Sequence, residues 1–369
     1  MSSALLPPLT SIPADIVAVA DYARYAATRV PPEILAYFEG GAGDELAMRR
    51  NSDAFDRVLL ESRVLARVSG GNTRTELFGR TFAHPFLLAP VAYQRMLHPE
   101  GEIASARAAA AFDAGMVVST LSSVAIEEIA AAAPGAPRWF QLYMRRDRGF
   151  TESLVRRAEA AGCEAIMVTV DSLLAGVRLT ARRAGYKRPD DVTCVHLRDE
   201  PVSPKVDLDP GQSLILDGFM GIAPTWDDIA WLRSITRLPL LIKGIMSPED
   251  AYIALDNGVD GIVVSNHGGR VFDSAPASLD ALPRVVEKIG GAVPLILDGG
   301  IHRGSDAFKA IALGASAVMI GRAYVRALAA AGPLGVAHVL RMLREELEVT
   351  MAQTGCRTLK DIGPRTIFR

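Results

Sequence analysis

The chain has 369 residues, 49% of them hydrophobic and 22% charged, with 40 Lys+Arg against 42 Asp+Glu. That apolar share is enough for a sizeable core and excludes a disordered or collagen-like chain. A formal net charge of −2 leaves no overall basic field to hold nucleic acid or an anionic membrane surface, so a small neutral or anionic ligand is expected.

In chain order, residues 1–80 read as an N-terminal helical extension whose start lacks the basic segment and apolar core of a secretory signal. Eight short apolar runs then follow as strands: Phe86–Pro90, Met116–Thr120, Trp139–Tyr143, Ala165–Asp171, Pro239–Lys243, Gly261–Asn266, Pro294–Asp298 and Ser316–Ile320. Between them lie helix-length stretches rich in Ala, Leu, Glu and Arg, namely Glu100–Ala114, Thr151–Ala161, Pro248–Asn257, Gly304–Leu313 and Tyr324–Ala331. Strand and helix alternate, which predicts an α/β protein with a (β/α)8 TIM barrel over residues 81–331. A polar, proline-dotted insertion at 180–225, after the fourth strand, reads as a lid-like loop over the barrel mouth. Residues 332–369 read as a C-terminal helical segment, all within one domain. An open doubly wound sheet is the weaker alternative, because neither a G-x-G-x-x-G turn nor a P-loop follows the first strand.

Cys163, Cys194 and Cys356 are widely spaced with no C-x-x-C pair, which points to reduced thiols and a cytoplasmic protein. The six histidines are scattered without a zinc-binding spacing, so no metal is expected. No run reaches about 18 uncharged apolar residues, so no membrane attachment is expected.

In such barrels chemistry sits at the C-terminal strand ends. Counting by twos puts Gln141 with Tyr143, Thr169 with Asp171, and Ser265 with His267 on shared faces, while Lys243 and Asp298 end their own strands. Any one such residue is usually a solvated rim group. Five adjacent strand ends doing the same imply a polar ligand that pairs with them. Glycines at Asp298-Gly299-Gly300 and Gly321-Arg322, with a helix start near Arg303, point to a phosphorylated ligand. Ser265-Asn266-His267-Gly268-Gly269-Arg270 pairs a potential base with a guanidinium able to grip a carboxylate.

These residues resemble the FMN-dependent 2-hydroxy acid oxidases and dehydrogenases, the family of glycolate, lactate and hydroxymandelate oxidases and of mandelate dehydrogenase. The likeness runs through Tyr37–Ala42, Ala89–Ala92, His98–Glu102, Leu121–Ser123, Phe140–Tyr143, Thr169–Asp171, Lys243–Gly244, Ser265–Arg270, Asp298–Gly300 and Gly321–Arg322, nearly the whole chain. It implies FMN as cofactor, with its phosphate near Gly300, Arg303, Gly321 and Arg322. Ser122, Gln141, Thr169, Ser265 and Asp298 would lie along the flavin, the backbone of Pro90, Val91 and Ala92 beside its reactive edge, and Lys243 near its N1 edge. Tyr37, Arg178 and Arg270 would hold a substrate carboxylate, and Tyr143 and His267 its hydroxyl. His267 would take the hydroxyl proton and Asp171 would fix its tautomer.

The resemblance further implies oxidation of a lactate- or mandelate-like 2-hydroxy acid to the 2-oxo acid, with molecular oxygen as acceptor giving hydrogen peroxide, in a homotetramer. A soluble dehydrogenase using a quinone or protein acceptor is the alternative, and a non-redox phosphate-binding lyase or isomerase a more distant one. The sequence departs from the family at four places. His302 stands where an arginine is usual, the segment after Ser123 is shortened, Ser172-Leu173-Leu174 replaces Thr-Pro-Arg, and Val177-Arg178 replaces tandem arginines. Val124, Met144, Leu174 and Tyr93 are expected as apolar lining for a methyl or phenyl substituent.

Overall fold

The computed structural model describes residues 5–174, 176–202 and 207–368. Three helices, Tyr22–Ala27, Pro32–Glu39 and Leu46–Arg57, come first. They are followed by an antiparallel hairpin of β1 (Thr75–Leu77) and β2 (Arg80–Phe82), turning at Phe78 and Gly79 with φ of 51° and 80°. The extension is therefore not wholly helical. Two positive-φ residues between short strands form the kind of tight turn that matches strand twist, and the apolar Leu77, Phe78 and Phe82 then find a common partner below the barrel.

That barrel is closed and parallel, from β3 (Phe86–Leu88) through β4 (Gly115–Ser119), β5 (Arg138–Leu142), β6 (Ile166–Thr169), β7 (Leu240–Ile245), β8 (Gly261–Val264) and β9 (Leu295–Asp298) to β10 (Ala317–Ile320), which pairs back onto β3. All eight strands fall within the apolar runs expected from the sequence, give or take the end residues. Buried on both faces, they are near-continuously apolar, as parallel strands covered by helices must be.

Alternate residues divide between two cores. Phe86, Leu88, Val118, Phe140, Ile166, Val168, Ile242 and Val264 point out to the surrounding helices. Leu87, Val117, Trp139, Met167, Leu241, Val263 and Ile296 point in, where the hairpin's Leu77, Phe78 and Phe82 close the lower end. Phe82 meets the Trp139 ring edge-on at 6.3 Å, and Phe78 meets it at 5.6 Å. Gly115 and Gly261 leave the room: a Cβ there would press on the Phe82 and Phe78 rings at 3.0 and 2.8 Å.

The last helix spans Arg322–Thr354 and breaks at Ala331 and Gly332, just before Pro333. Its length and composition would suffice to cross a membrane, but 72% of its most apolar window is buried against the barrel, which marks a core helix. The insertion after β6 is partly pinned. Tyr186 stacks on Tyr37 at 4.5 Å, and buried His196 sits 3.2 Å from the Thr120 carbonyl by Nδ1 while Nε2 accepts from the Ile126 N–H at 3.0 Å. Farther along, Leu214, Leu216 and Phe219 are exposed.

Candidate active site

One step up six of the eight strands from the apolar inward layer, the side chains become polar. Val117 gives way to Ser119, Trp139 to Gln141, Met167 to Thr169, Leu241 to Lys243, Val263 to Ser265 and Ile296 to Asp298, each at most 6% exposed. Above this layer opens a cleft lined by Pro90–Ala92, Tyr143, Lys243, His267, Arg270, Asp298 and the Gly299–Gly300 and Gly321–Arg322 turns, among others.

Several buried atoms there have no protein partner: Gln141 Nε2, Thr169 Oγ1, Asp171 Oδ2, Arg178 Nε, Asp298 Oδ1 and Arg322 Nε. Leaving so many polar atoms unpaired is costly, so this layer is built for a ligand rich in complementary groups. An isoalloxazine ring, with donors and acceptors along one edge, and a phosphate tail meet that demand.

Lys243 donates to Ser265 Oγ at 2.9 Å and pairs with Asp298 at 3.1 Å. Burial alone would lower its pKa, but Asp298 and Asp171 outweigh this and hold it above the ordinary lysine value, a fixed positive charge at the barrel floor. Ser265 Oγ also accepts from the His267 N–H at 3.0 Å. Ser265 is thus a bracket between two functional residues.

His267 follows β8 with φ of 57°, in the left-handed region that a residue with Cβ rarely adopts, and this turns its ring toward the cleft. Its Nδ1 donates to Asp171 Oδ1 at 2.8 Å, which leaves Nε2 bare. Asp171 reaches it because β7 carries Gly244, where a Cβ would lie 2.7 Å from Asp171 Cγ. Burial holds the imidazole below its ordinary pKa against the pull of Asp171, so it is neutral at pH 7. Asp171 itself is buried, but His267 and Lys243 keep its carboxyl below the usual range. Burial raises the Tyr143 phenol, which therefore keeps its proton.

Opposite stand the arginines. Arg270 donates to the carbonyls of Tyr37, Phe38 and Gly40 at 2.8–2.9 Å. Gly176 packs so tightly that a Cβ would meet the Arg270 carbonyl at 2.7 Å, which seats the loop bearing Arg178 beside it. Both guanidinium carbons lie 5.4 Å from the Tyr37 ring. Burial, Arg178 and Arg322 together push Arg270 down to about 9, the mark of clustered cations awaiting an anion.

Most residues expected from the sequence converge here, but some do not. Ser122 is buried with Oγ donating to the Val124 carbonyl at 2.7 Å, away from the cleft, and Ser119 and Leu121 line that wall instead. Arg303 points outward and pairs with Asp56, both side chains over 60% exposed, because the helix it caps turns it to solvent; His302 faces the cleft in its place. Val124, Met144, Leu174 and Tyr93 do not line the cleft, since Val124 is packed inside and Leu174 is exposed. The apolar lining comes from Phe38, Leu121, Ile301, Met319 and Val325. Ser119 was legible by inward alternation from Val117. Tyr186, stacked on Tyr37, carried no local signal.

A parallel barrel whose polar mouth sets a carboxylate-oriented imidazole against clustered arginines, above a buried lysine, defines an enzyme acting on a small organic acid. The chain belongs to the FMN-dependent dehydrogenase family, which it matches over residues 26–369. It is similar to an L-lactate oxidase of Roseobacter sp., 47% identical over 348 residues covering 94% of each chain. It is also similar to glycolate oxidase 1 of Oryza sativa subsp. indica, 43% identical over 356 residues covering 96% of each. Among solved structures, mandelate oxidase superposes with a TM-score of 0.85 at 42% identity, over 95% of this chain and 98% of that one.

Proposed function

We propose that the protein oxidises an L-2-hydroxy acid of the lactate or mandelate kind to its 2-oxo acid, with molecular oxygen as the final acceptor. The observation that carries this is the His267–Asp171 pair at 2.8 Å facing Arg178 and Arg270 across a cleft floored by Lys243. Bound FMN supplies the two-electron acceptor and passes the electrons to oxygen.

The protein's own residues do the rest. Arg270 and Arg178 take the substrate carboxylate, each guanidinium offering donors in a fixed fork. The hydroxyl is then within reach of Nε2 of His267, which removes its proton as the α-carbon loses hydrogen, and Tyr143 donates to the same oxygen. Asp171 stabilises the imidazolium that forms. Lys243 lends positive charge where negative charge accumulates on the ring. The same reading has a cytoplasmic homotetramer, and the free thiols of Cys163, Cys194 and Cys356 fit the reducing compartment.

Oxygen uptake with glycolate and with the L and D forms of lactate and mandelate tests this. One peroxide per oxygen is expected, with an L acid as substrate. Flavin reduction without oxygen uptake would make the protein a dehydrogenase with another acceptor, and no response to any 2-hydroxy acid would overturn the reading.

A further inference from the structure

Behind the Gly300 turn the cleft continues into a second one, lined by Arg49, Asn51, Asp53, Gly300, His302, Arg322 and Arg326 with neighbouring residues. Gly300, His302 and Arg322 belong to both. Cation is concentrated here well beyond the single carboxylate of Asp53.

Of the two residues the sequence offered on the turn after β9, neither brings charge. Arg303 is spent on Asp56 at the surface. His302 is pushed down to about 4 by burial and by Arg326 and Arg322, so it stands neutral and offers an N–H but no charge. Arg322 contributes, but its Nη1 is already on the Gly268 carbonyl at 2.9 Å, and only its buried Nε lacks a partner.

Arg326 sits one helical turn after Arg322, so both side chains lie on one face. It is clasped by Glu39: Nε donates to Oε1 at 2.8 Å and Nη2 to Oε2 at 2.5 Å, with the arginine side chain 18% exposed. The clasp fixes the guanidinium plane and leaves Nη1 with no hydrogen bond among the described residues, while Arg326 lines this second cleft. Arg49, by contrast, is exposed and is held by no side chain among the described residues.

We propose that Arg326, oriented by Glu39, is a phosphate-holding residue for the FMN tail and supplies with Arg322 the charge that His302 does not. This rests on the FMN reading above. It also ties the tail to the substrate end, since Glu39 adjoins Gly40, whose carbonyl accepts from Arg270.

The test is flavin binding by the full chain. FMN release from the holoenzyme on dilution is followed by flavin fluorescence, and the flavin-freed protein is titrated with FMN and with riboflavin, which lacks the phosphate. Arg326→Gln is expected to weaken FMN by about 10- to 100-fold, the range of a charge-assisted hydrogen bond, while riboflavin affinity stays within about threefold. Arg326→Lys should recover part of the loss. Equal weakening of FMN and riboflavin would show a merely structural clasp and overturn the proposal, as would unchanged FMN affinity. A wild-type chain that binds neither flavin would instead overturn the cofactor reading, and this proposal with it.

Discussion

The two ends of the barrel are made from the same strands, two residues apart. At the lower end Trp139 meets the hairpin's Phe78 and Phe82 edge-on, in one apolar cluster with Leu241 and Val263. At the upper end Gln141, Lys243 and Ser265 follow them in the same inward register, and Gln141, Thr169, Asp171 and Asp298 there hold buried polar atoms with no protein partner. The lower layer stabilises the fold, whereas the upper layer bears an unmet polar demand that a ligand answers. Substitutions at the two ends should therefore separate cleanly into loss of stability and loss of chemistry.

The largest effect is expected at His267. His267→Gln should keep FMN in stoichiometric amount and lose about 10³-fold or more in turnover, within the range of a general base. Lys243→Met should cost about 10²-fold in the rate of flavin reduction, by removing a positive charge aimed at the developing negative one; the same change leaves Asp298 buried without its cation, so FMN content must be measured alongside. Phe82→Ala, at the opposite end, should lower stability by about 3–5 kcal/mol in denaturant unfolding with kcat and KM of the folded fraction unchanged. If that substitution altered kcat while leaving the unfolding midpoint in place, the division between the ends would fail.

Arg178→Met should mainly raise KM, by about 10- to 100-fold, because one of two carboxylate-facing guanidinium groups is gone. The smallest effect is in pH. His267 must be neutral to act, and burial sets its pKa below the ordinary imidazole value of about 6.5. Hence kcat/KM should be flat near pH 7 and fall only as pH drops through that lower value. An acid limb centred above 7 would contradict the burial argument.

The barrel was legible because its signal is repeated eight times, and each apolar run of five to seven residues admits little besides a buried strand. The strand-end chemistry was legible by period two: once Val263 faces inward, Ser265 and His267 follow on the same face. What escaped depends on contacts between segments far apart in the chain. Nothing near Tyr186 announces Tyr37 as its stacking partner, 149 positions away by their numbers. Ser122 and Arg303 were misplaced for a local reason. Each sits in a turn, where one residue of register decides whether a side chain enters the cleft or leaves it, and Leu121 and His302 enter instead. The hairpin at 75–82 was hidden because its strands are only three residues each, too short for an alternation to show.

The most direct test of the central claim is anaerobic mixing of the yellow holoenzyme with L-lactate or (S)-mandelate, followed at the flavin absorption band. The account predicts that the band bleaches with one of these acids and returns when oxygen is admitted, with peroxide formed. A band that persists with every L-2-hydroxy acid tried, in protein carrying its full FMN, would contradict it.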